Sequence, residues 1–243
     1  MIYIFLFIIG SIFGSFANLV VYRRLRGESI VFPRSHCESC GKSLSPFELI
    51  PVISYLIQKG RCRSCGSKIS PDNIFMEIMG GILLIVSSLY GLNFRTCMIF
   101  ASLIIGLIIS LIDLKTMEIY RKDLIMLIAL GLVYRFNFFT RDFLIHIIIF
   151  SLTYYLIYRI SGRNIGDGDY YFYLGLGLFL KDSLFIVFVL FSVWIGGFVG
   201  LLILLRERKR GRRMPFAIFI YLSYIIVLII YEGAVLWERR DLL

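Results

Sequence analysis

Leu103-Ile104-Ile105-Gly106-Leu107-Ile108-Ile109-Ser110-Leu111-Ile112-Asp113 decides the fold. The stretch is apolar almost throughout, contains no proline, and ends on a carboxylate. It closes one of several runs in the chain that approach the about 20 residues a helix needs to cross a bilayer. An ionisable residue at the edge of such a span is costly, so it is read as a functional site that needs a partner. A second aspartate with this property closes the tetrad Gly166-Asp167-Gly168-Asp169, which has apolar runs on both sides.

Composition agrees with the local reading. The 243 residues are 59% apolar with a mean hydropathy of +0.85, above the roughly 45–50% apolar content of soluble domains. The pattern predicts an all-α fold: a polytopic membrane helix bundle of about eight spans, near 1–22, 73–90, 96–113, 122–138, 142–159, 170–181, 183–205 and 215–236. The sixth is short and carries Gly175 and Gly177, so a broken or tilted segment is an alternative there. Pro71-Asp72 reads as the start signal of the second. Met1 to Tyr22 lacks the basic region of a signal peptide and is read as an uncleaved span. In domain terms the expectation is a first span at 1–22, a loop at 23–72 and a bundle over 73–243.

A net charge of +10 could suggest nucleic acid. The Lys and Arg lie between the spans, however, which is a topology signal with anionic-lipid contact, and no nucleic-acid motif is present. With the N-terminus outside, 20 of the 26 basic residues fall in the loops 23–72, 113–122, 159–168 and 206–213. That bias places those loops, and both aspartates, on the cytoplasmic side.

The first loop holds four of the five cysteines, as Cys37-x-x-Cys40-Gly41 and Cys62-x-x-Cys65-Gly66. Two such knuckles complete a tetrahedron of thiolates suited to Zn²⁺. Disulfides are the alternative, and a cytoplasmic loop disfavours them. With four protein ligands the site is structural, and the metal would supply folding energy to a loop with little core. Cys97 reads as packing, and Gly10-x-x-x-Gly14 as a helix-packing face.

The glycines of the tetrad permit close approach of a chain or substrate. Asp167 reads as the solvated member and Asp169 as the desolvated one. Two carboxyls sharing a site do not both ionise easily, which is what an aspartic protease needs. One polarises the scissile carbonyl and the other takes a proton from water. No Ser-His-Asp set is available, since the histidines are only His36 and His146.

These residues resemble the prepilin peptidases, or type IV leader peptidases, of type IV pilus and type II secretion systems. The resemblance is carried by Gly14-Ser15-Phe16-Ala17-Asn18 with Tyr22-Arg23, and by Pro33-Arg34-Ser35-His36-Cys37-Glu38-Ser39-Cys40-Gly41. It continues through Ile50-Pro51-Val52-Ile53-Ser54-Tyr55-Leu56, Gly60-Arg61-Cys62-Arg63-Ser64-Cys65-Gly66 and Glu77. Ser110-Leu111-Ile112-Asp113, the tetrad, and Pro215-Phe216 complete it. It implies Asp113 and Asp169 as the catalytic pair and, as substrates, prepilins or pseudopilins with a basic leader processed at the cytoplasmic face of the inner membrane. It also implies a second activity, N-methylation with S-adenosylmethionine, with which Gly60 is associated. Two positions depart from the family pattern: Tyr120 stands where Pro follows Ile, and Tyr171 where Lys is favoured. Other readings are a presenilin-type intramembrane protease, which would have Tyr rather than Ile112 before the aspartate, and a transporter using Asp113 and Asp169 as an ion or proton relay. Oligomeric state is left open.

Overall fold

The computed structural model describes residues 1–89, 91–136, 139–161, 166–207 and 214–240, with the backbone alone at 207 and 231–240. Arg163, residues 208–213 and the side chains of Arg239 and Arg240, all part of the charge count above, lie outside the described residues. So do the predicted span ends at 90 and 138. Among the described residues the regular secondary structure is helical, and the chain forms two compact units, Met1–Leu92 and Asn93–Leu243.

In the first unit α1 (Ile2–Leu25) packs along α3 (Pro71–Ser88), and the loop between them holds a 3-10 turn at Pro46–Leu49 and the short α2 (Ile53–Ile57). Helix α3 starts where the sequence predicts: Pro71 occupies the first turn and the Ser70 hydroxyl accepts the Asp72 N–H at 3.2 Å, satisfying an end donor. Gly10 and Gly14 of α1 face Gly80, Gly81 and the Met76 carbonyl of α3, and a Cβ at Gly10, Gly14 or Gly80 would collide with backbone. The helices approach closely because neither carries a side chain there. The glycine pair on α3 is the half of this contact that the sequence reading did not find.

The second unit comprises α4 (Phe94–Thr116), α5 (Arg121–Arg135), α6 (Arg141–Ile160), α7 (Asp167–Gly177), α8 (Leu184–Glu207) and α9 (Ala217–Arg240). Helix α4 is the most enclosed, flanked by α5 and α9. Tyr221 lies across Gly106 and donates to the Leu103 carbonyl at 2.9 Å, and Tyr224 pairs with Ser102 at 2.7 Å. Helix α6 is the opposite case, with Phe143 its one fully buried residue and an apolar surface open along its length. In a soluble protein that surface would be an aggregation hazard; here it is a lipid-facing surface.

Helices occupy all eight predicted span positions, and five (α1, α3, α4, α6 and α8) are long and apolar enough to cross a membrane. The protein is therefore an integral membrane protein. Three differences from the expectation bear on the site. Helix α4 does not end at Asp113 but continues to Thr116, closing on Met117 at φ 57° with the Met117 N–H on the Asp113 carbonyl at 2.7 Å. Helix α5, of 15 residues, is about 22 Å long against a bilayer core of about 30 Å. Helix α7, of 11 residues, is about 17 Å long, and it begins on the tetrad itself instead of after it.

Candidate functional site

Asp113 is buried in the last turns of α4, at 6% exposure. Its Oδ2 accepts the main-chain N–H of Ala217, the first residue of α9, at 3.0 Å. A helix start has unpaired N–H groups and the positive end of the macrodipole, so α9 receives an anionic cap from another helix. The preceding Pro215-Phe216 brings α9 in at this point, and Ser110, one turn earlier on α4, donates to the Ala217 carbonyl at 3.3 Å.

Asp169 stands in the first turn of α7, where Gly166 is the cap residue and Asp167 the first helical one. Its own N–H donates to the Gly166 carbonyl at 3.2 Å. The tetrad is held from α6, where the Tyr154 hydroxyl donates to the same carbonyl at 2.9 Å and Ser151 pairs with the Tyr170 hydroxyl at 3.0 Å. Phe150 stacks on Tyr170 with centroids 5.8 Å apart. The glycines matter sterically: a Cβ at Gly168 would meet the Ile119 Cβ at 3.0 Å, and one at Gly166 would approach Asp169 Oδ2 at 3.5 Å. Asp167 is exposed while Asp169 is partly buried. Ile119, six positions after Asp113 in the chain, packs on Gly168 beside Asp169.

The four loop cysteines converge in the first unit, with their Sγ atoms all within 4.8 Å of one another. All are free thiols. The two knuckles repeat the same geometry. Gly41 at φ +71° and Gly66 at φ +72° turn the chain so that their N–H groups reach the Cys37 and Cys62 carbonyls at 2.8 and 2.9 Å. Such angles suit glycine. The Cys37 and Cys65 sulfurs are 3.8 Å apart, and a tetrahedron with metal–sulfur bonds near 2.3 Å needs ~3.8 Å between sulfurs. The backbone N–H groups of Cys40 and Ser39 pull the Cys37 thiol down to about 6, towards the thiolate a metal requires. The cluster can hold a metal ion.

Two polar arrangements were missed by sequence reasoning because each joins residues far apart in the chain. In the first unit Glu77 of α3 accepts the Ser15 hydroxyl at 2.9 Å and the Val52 N–H at 2.6 Å, and Asn18 pairs with Asn73. In the second, Arg135 at the end of α5, one of the six basic residues outside the cytoplasmic loops in the charge count, is buried. It donates to the Leu180 carbonyl at 2.6 Å and to Leu178 at 3.3 Å beyond the end of α7, pairs with Asp182, and lies over the Phe143 ring.

An all-helical membrane protein with one buried aspartate near a helix end, another at a glycine-flanked helix start, and a four-thiol centre is the class these observations define. Residues 8–90 match the Bacterial Peptidase A24 N-terminal domain, and residues 97–201 match the Type IV leader peptidase family. The chain is 32% identical over 221 residues to the Prepilin leader peptidase/N-methyltransferase of Myxococcus xanthus (strain DK1622), covering 86% of this chain and 65% of that protein. It is 32% identical over 220 residues to the protein of the same name from Bacillus subtilis (strain 168), covering 87% of this chain and 88% of that protein. A Klebsiella pneumoniae protein of that name is 30% identical over 89 residues, 34% of this chain and 39% of that protein. No solved structure matches the chain significantly. The chain belongs to the type IV leader peptidase family.

Proposed function

We propose that this protein is a membrane aspartic endopeptidase that removes the basic leader of prepilin-like proteins at the cytoplasmic face of the bacterial inner membrane. Asp113 and Asp169 share one proton between them. The protonated carboxyl polarises the scissile carbonyl, and the ionised one accepts a proton from the attacking water. The observation that carries the reading is geometric: Asp169 stands on the first turn of α7, whose Gly168 packs against Ile119, just past the α4 end that carries the buried Asp113. Gly168 lets this turn close against Ile119, which brings the start of α7 up to the α4–α5 connection. Orientation follows from the placement of 20 of the 26 Lys and Arg in the loops on the side of both aspartates.

Cys37, Cys40, Cys62 and Cys65 hold a structural Zn²⁺ that fixes the first loop. The same protein methylates the new N-terminal amine with S-adenosylmethionine, in keeping with the names of the Myxococcus and Bacillus relatives. Gly60 serves that second activity. Substrates are prepilins or pseudopilins, whose apolar helix lies in the bilayer while the leader remains in the cytoplasm.

The test is cleavage of a prepilin-like peptide by purified protein in lipid nanodiscs, with Asp113→Asn and Asp169→Asn compared with wild type. Both variants should lose cleavage by about 10²–10⁴-fold. Full activity in either would remove that residue from the pair.

A further inference from the structure

Five tyrosines gather beside the tetrad with no part in the chemistry described so far. Tyr154, Tyr155 and Tyr158 of α6 and Tyr170 and Tyr171 of α7, together with Asp167, line an open cavity of about 290 Å³. The cavity lies wholly within the Asn93–Leu243 unit. Tyrosine at a membrane surface ordinarily serves as an interfacial anchor, spread as a belt around a bundle. Here 5 of the 15 tyrosines in the chain converge on one cavity instead.

Helical spacing puts them there. Ser151, Tyr154, Tyr155 and Tyr158 fall at i, i+3, i+4 and i+7 and form one stripe along α6. Asp167, Tyr170 and Tyr171 repeat the i, i+3, i+4 pattern at the start of α7. The two stripes supply the two walls. On α6 this is a polar-aromatic strip on a helix whose surface is otherwise apolar and open, with Ile148, Ile149, Leu152 and Leu156 exposed.

Part of the wall is set before anything binds. The Tyr154 hydroxyl donates to the Gly166 carbonyl at 2.9 Å, and the Tyr170 hydroxyl pairs with Ser151 at 3.0 Å. The Tyr154 and Tyr170 rings lie 5.2 Å apart, and Tyr171 stands edge-on to Tyr170 at the same separation. Rings held in this way lose little freedom when a ligand meets them. Tyr155, Tyr171 and Asp167 are exposed, so the cavity is reached from outside.

Its charge selects the occupant. Among the described residues no Lys or Arg lines it, and Asp167 is its carboxylate. Aromatic faces are negative and attract a cation placed over them, and a guanidinium also stacks on them. An anion meets repulsion from the rings and from Asp167 alike, and an apolar group gains nothing from the carboxylate. Tyr171 stands where the family pattern has Lys, so the tyrosine keeps a competing cation off this wall. Asp167 and Tyr170 flank Asp169 on the same turn of α7. A peptide whose scissile bond lies at Asp169 therefore passes the cavity within a few residues of that bond.

We infer that this cavity is a specificity subsite that receives a basic side chain of the leader, just before the cleaved bond, with Asp167 as its counter-charge. The inference rests on the leader-peptidase reading above and deepens it. The part of the substrate beyond the bond is apolar, so the leader alone carries the cation. Binding it here fixes the register of the peptide, and the cleaved bond is the one that register brings to Asp169. Asp167 thus has a task of its own beside Asp169, in binding and not in catalysis.

The experiment measures leader cleavage by full-length protein in nanodiscs, on prepilin-like peptides that differ at one residue. Lys, Arg, Gln or Glu is placed in turn at each of the last leader positions. At one position wild-type protein should cleave the Lys and Arg peptides with kcat/KM about tenfold above the Gln peptide, mainly through KM. The readout is this ratio, so a general loss of activity beside Asp169 does not enter it. Asp167→Asn and Tyr171→Leu should bring the ratio to within about twofold of unity. Asp167→Lys and Tyr171→Lys should shift the preference towards the Glu peptide. Tyr3→Leu, at an exposed tyrosine of α1, should leave the ratio at its wild-type value. Melting temperatures report on folding, and Asp167→Asn, isosteric and at an exposed position, covers the case in which a tyrosine variant fails to fold. A wild-type ratio retained in all the cavity variants overturns the subsite and leaves these tyrosines as interfacial anchors. Equal cleavage of Lys, Arg and Gln peptides by wild type at every position also overturns it, while the peptidase reading stands. Wild-type protein that cleaves none of the peptides removes the peptidase reading, and the inference with it.

Discussion

Asp113 Oδ2 accepts the Ala217 N–H at 3.0 Å, so a carboxylate of the candidate pair also fastens the start of α9 to α4. The two roles separate by substitution. Asp113→Asn keeps an acceptor oxygen and should retain the wild-type melting temperature while losing leader cleavage. Asp113→Leu leaves the N–H unpaired and should cost about 1–3 kcal/mol in addition. Thermal unfolding in detergent measures the difference, and equal destabilisation by both would remove the capping role.

Gly168 is predicted to be required for lack of bulk. Its Cβ would meet Ile119 at 3.0 Å, and overpacking of this kind costs about 1–3 kcal/mol. Gly168→Ala should reduce cleavage, and Ile119→Ala on that background should restore a large part of it. The readout is the coupling energy of the double-mutant cycle. Strictly additive effects would place the role of Gly168 elsewhere.

Metal removal should act on the loop before it acts on the bundle. One zinc per chain is expected by metal analysis, lost in Cys37→Ser and Cys62→Ser and retained in Asp169→Asn. Chelation should open the 26–70 loop to limited proteolysis, because the metal supplies much of its folding energy. A loop equally protected with and without chelator would argue for a hydrogen-bonded core sufficient by itself.

Arg135 carries a structural prediction. Removing the guanidinium leaves Asp182 without its partner and the Leu178 and Leu180 carbonyls without their donor, a loss of about 3–5 kcal/mol by analogy with broken buried pairs. Arg135→Gln should therefore lower the melting temperature strongly. Arg135→Lys should rescue little, since a single ammonium cannot reproduce a planar fork that reaches several acceptors.

The sequence carried the helix positions because apolar runs and start signals are local. Pro71 after Ser70 marks the start of α3, and Thr140 before the α6 run accepts the Phe143 N–H at 3.2 Å. Helix ends were less legible: nothing in Asp113-Leu114-Lys115-Thr116 says that the helix continues for another turn, because the Met117 cap is a backbone conformation. The aspartates stood out because carboxylates are rare in apolar surroundings, yet what they touch did not. Ala217 lies about a hundred positions from Asp113, and no period or spacing links them. The same holds for Glu77, whose partners Ser15 and Val52 come from another helix and from the loop. Arg135 was legible only as one of the six basic residues outside the cytoplasmic loops, because its burial shows only once the chain has folded.

The shortness of α7 bears on membrane energetics. A hydrolytic site needs water, and water threaded through a bilayer carries protons down the membrane potential. Helix α7 brings Asp169 to one of its ends, while Phe172, Tyr173 and Leu176 are buried along its length. Beyond its other end Arg135 and Asp182 lock together across the Leu178 and Leu180 carbonyls. The matched pair, with its carbonyl acceptors filled, has little left to offer water. On the proposed function, a site wetted only from the Asp169 end of α7 would work in an energised membrane without discharging it.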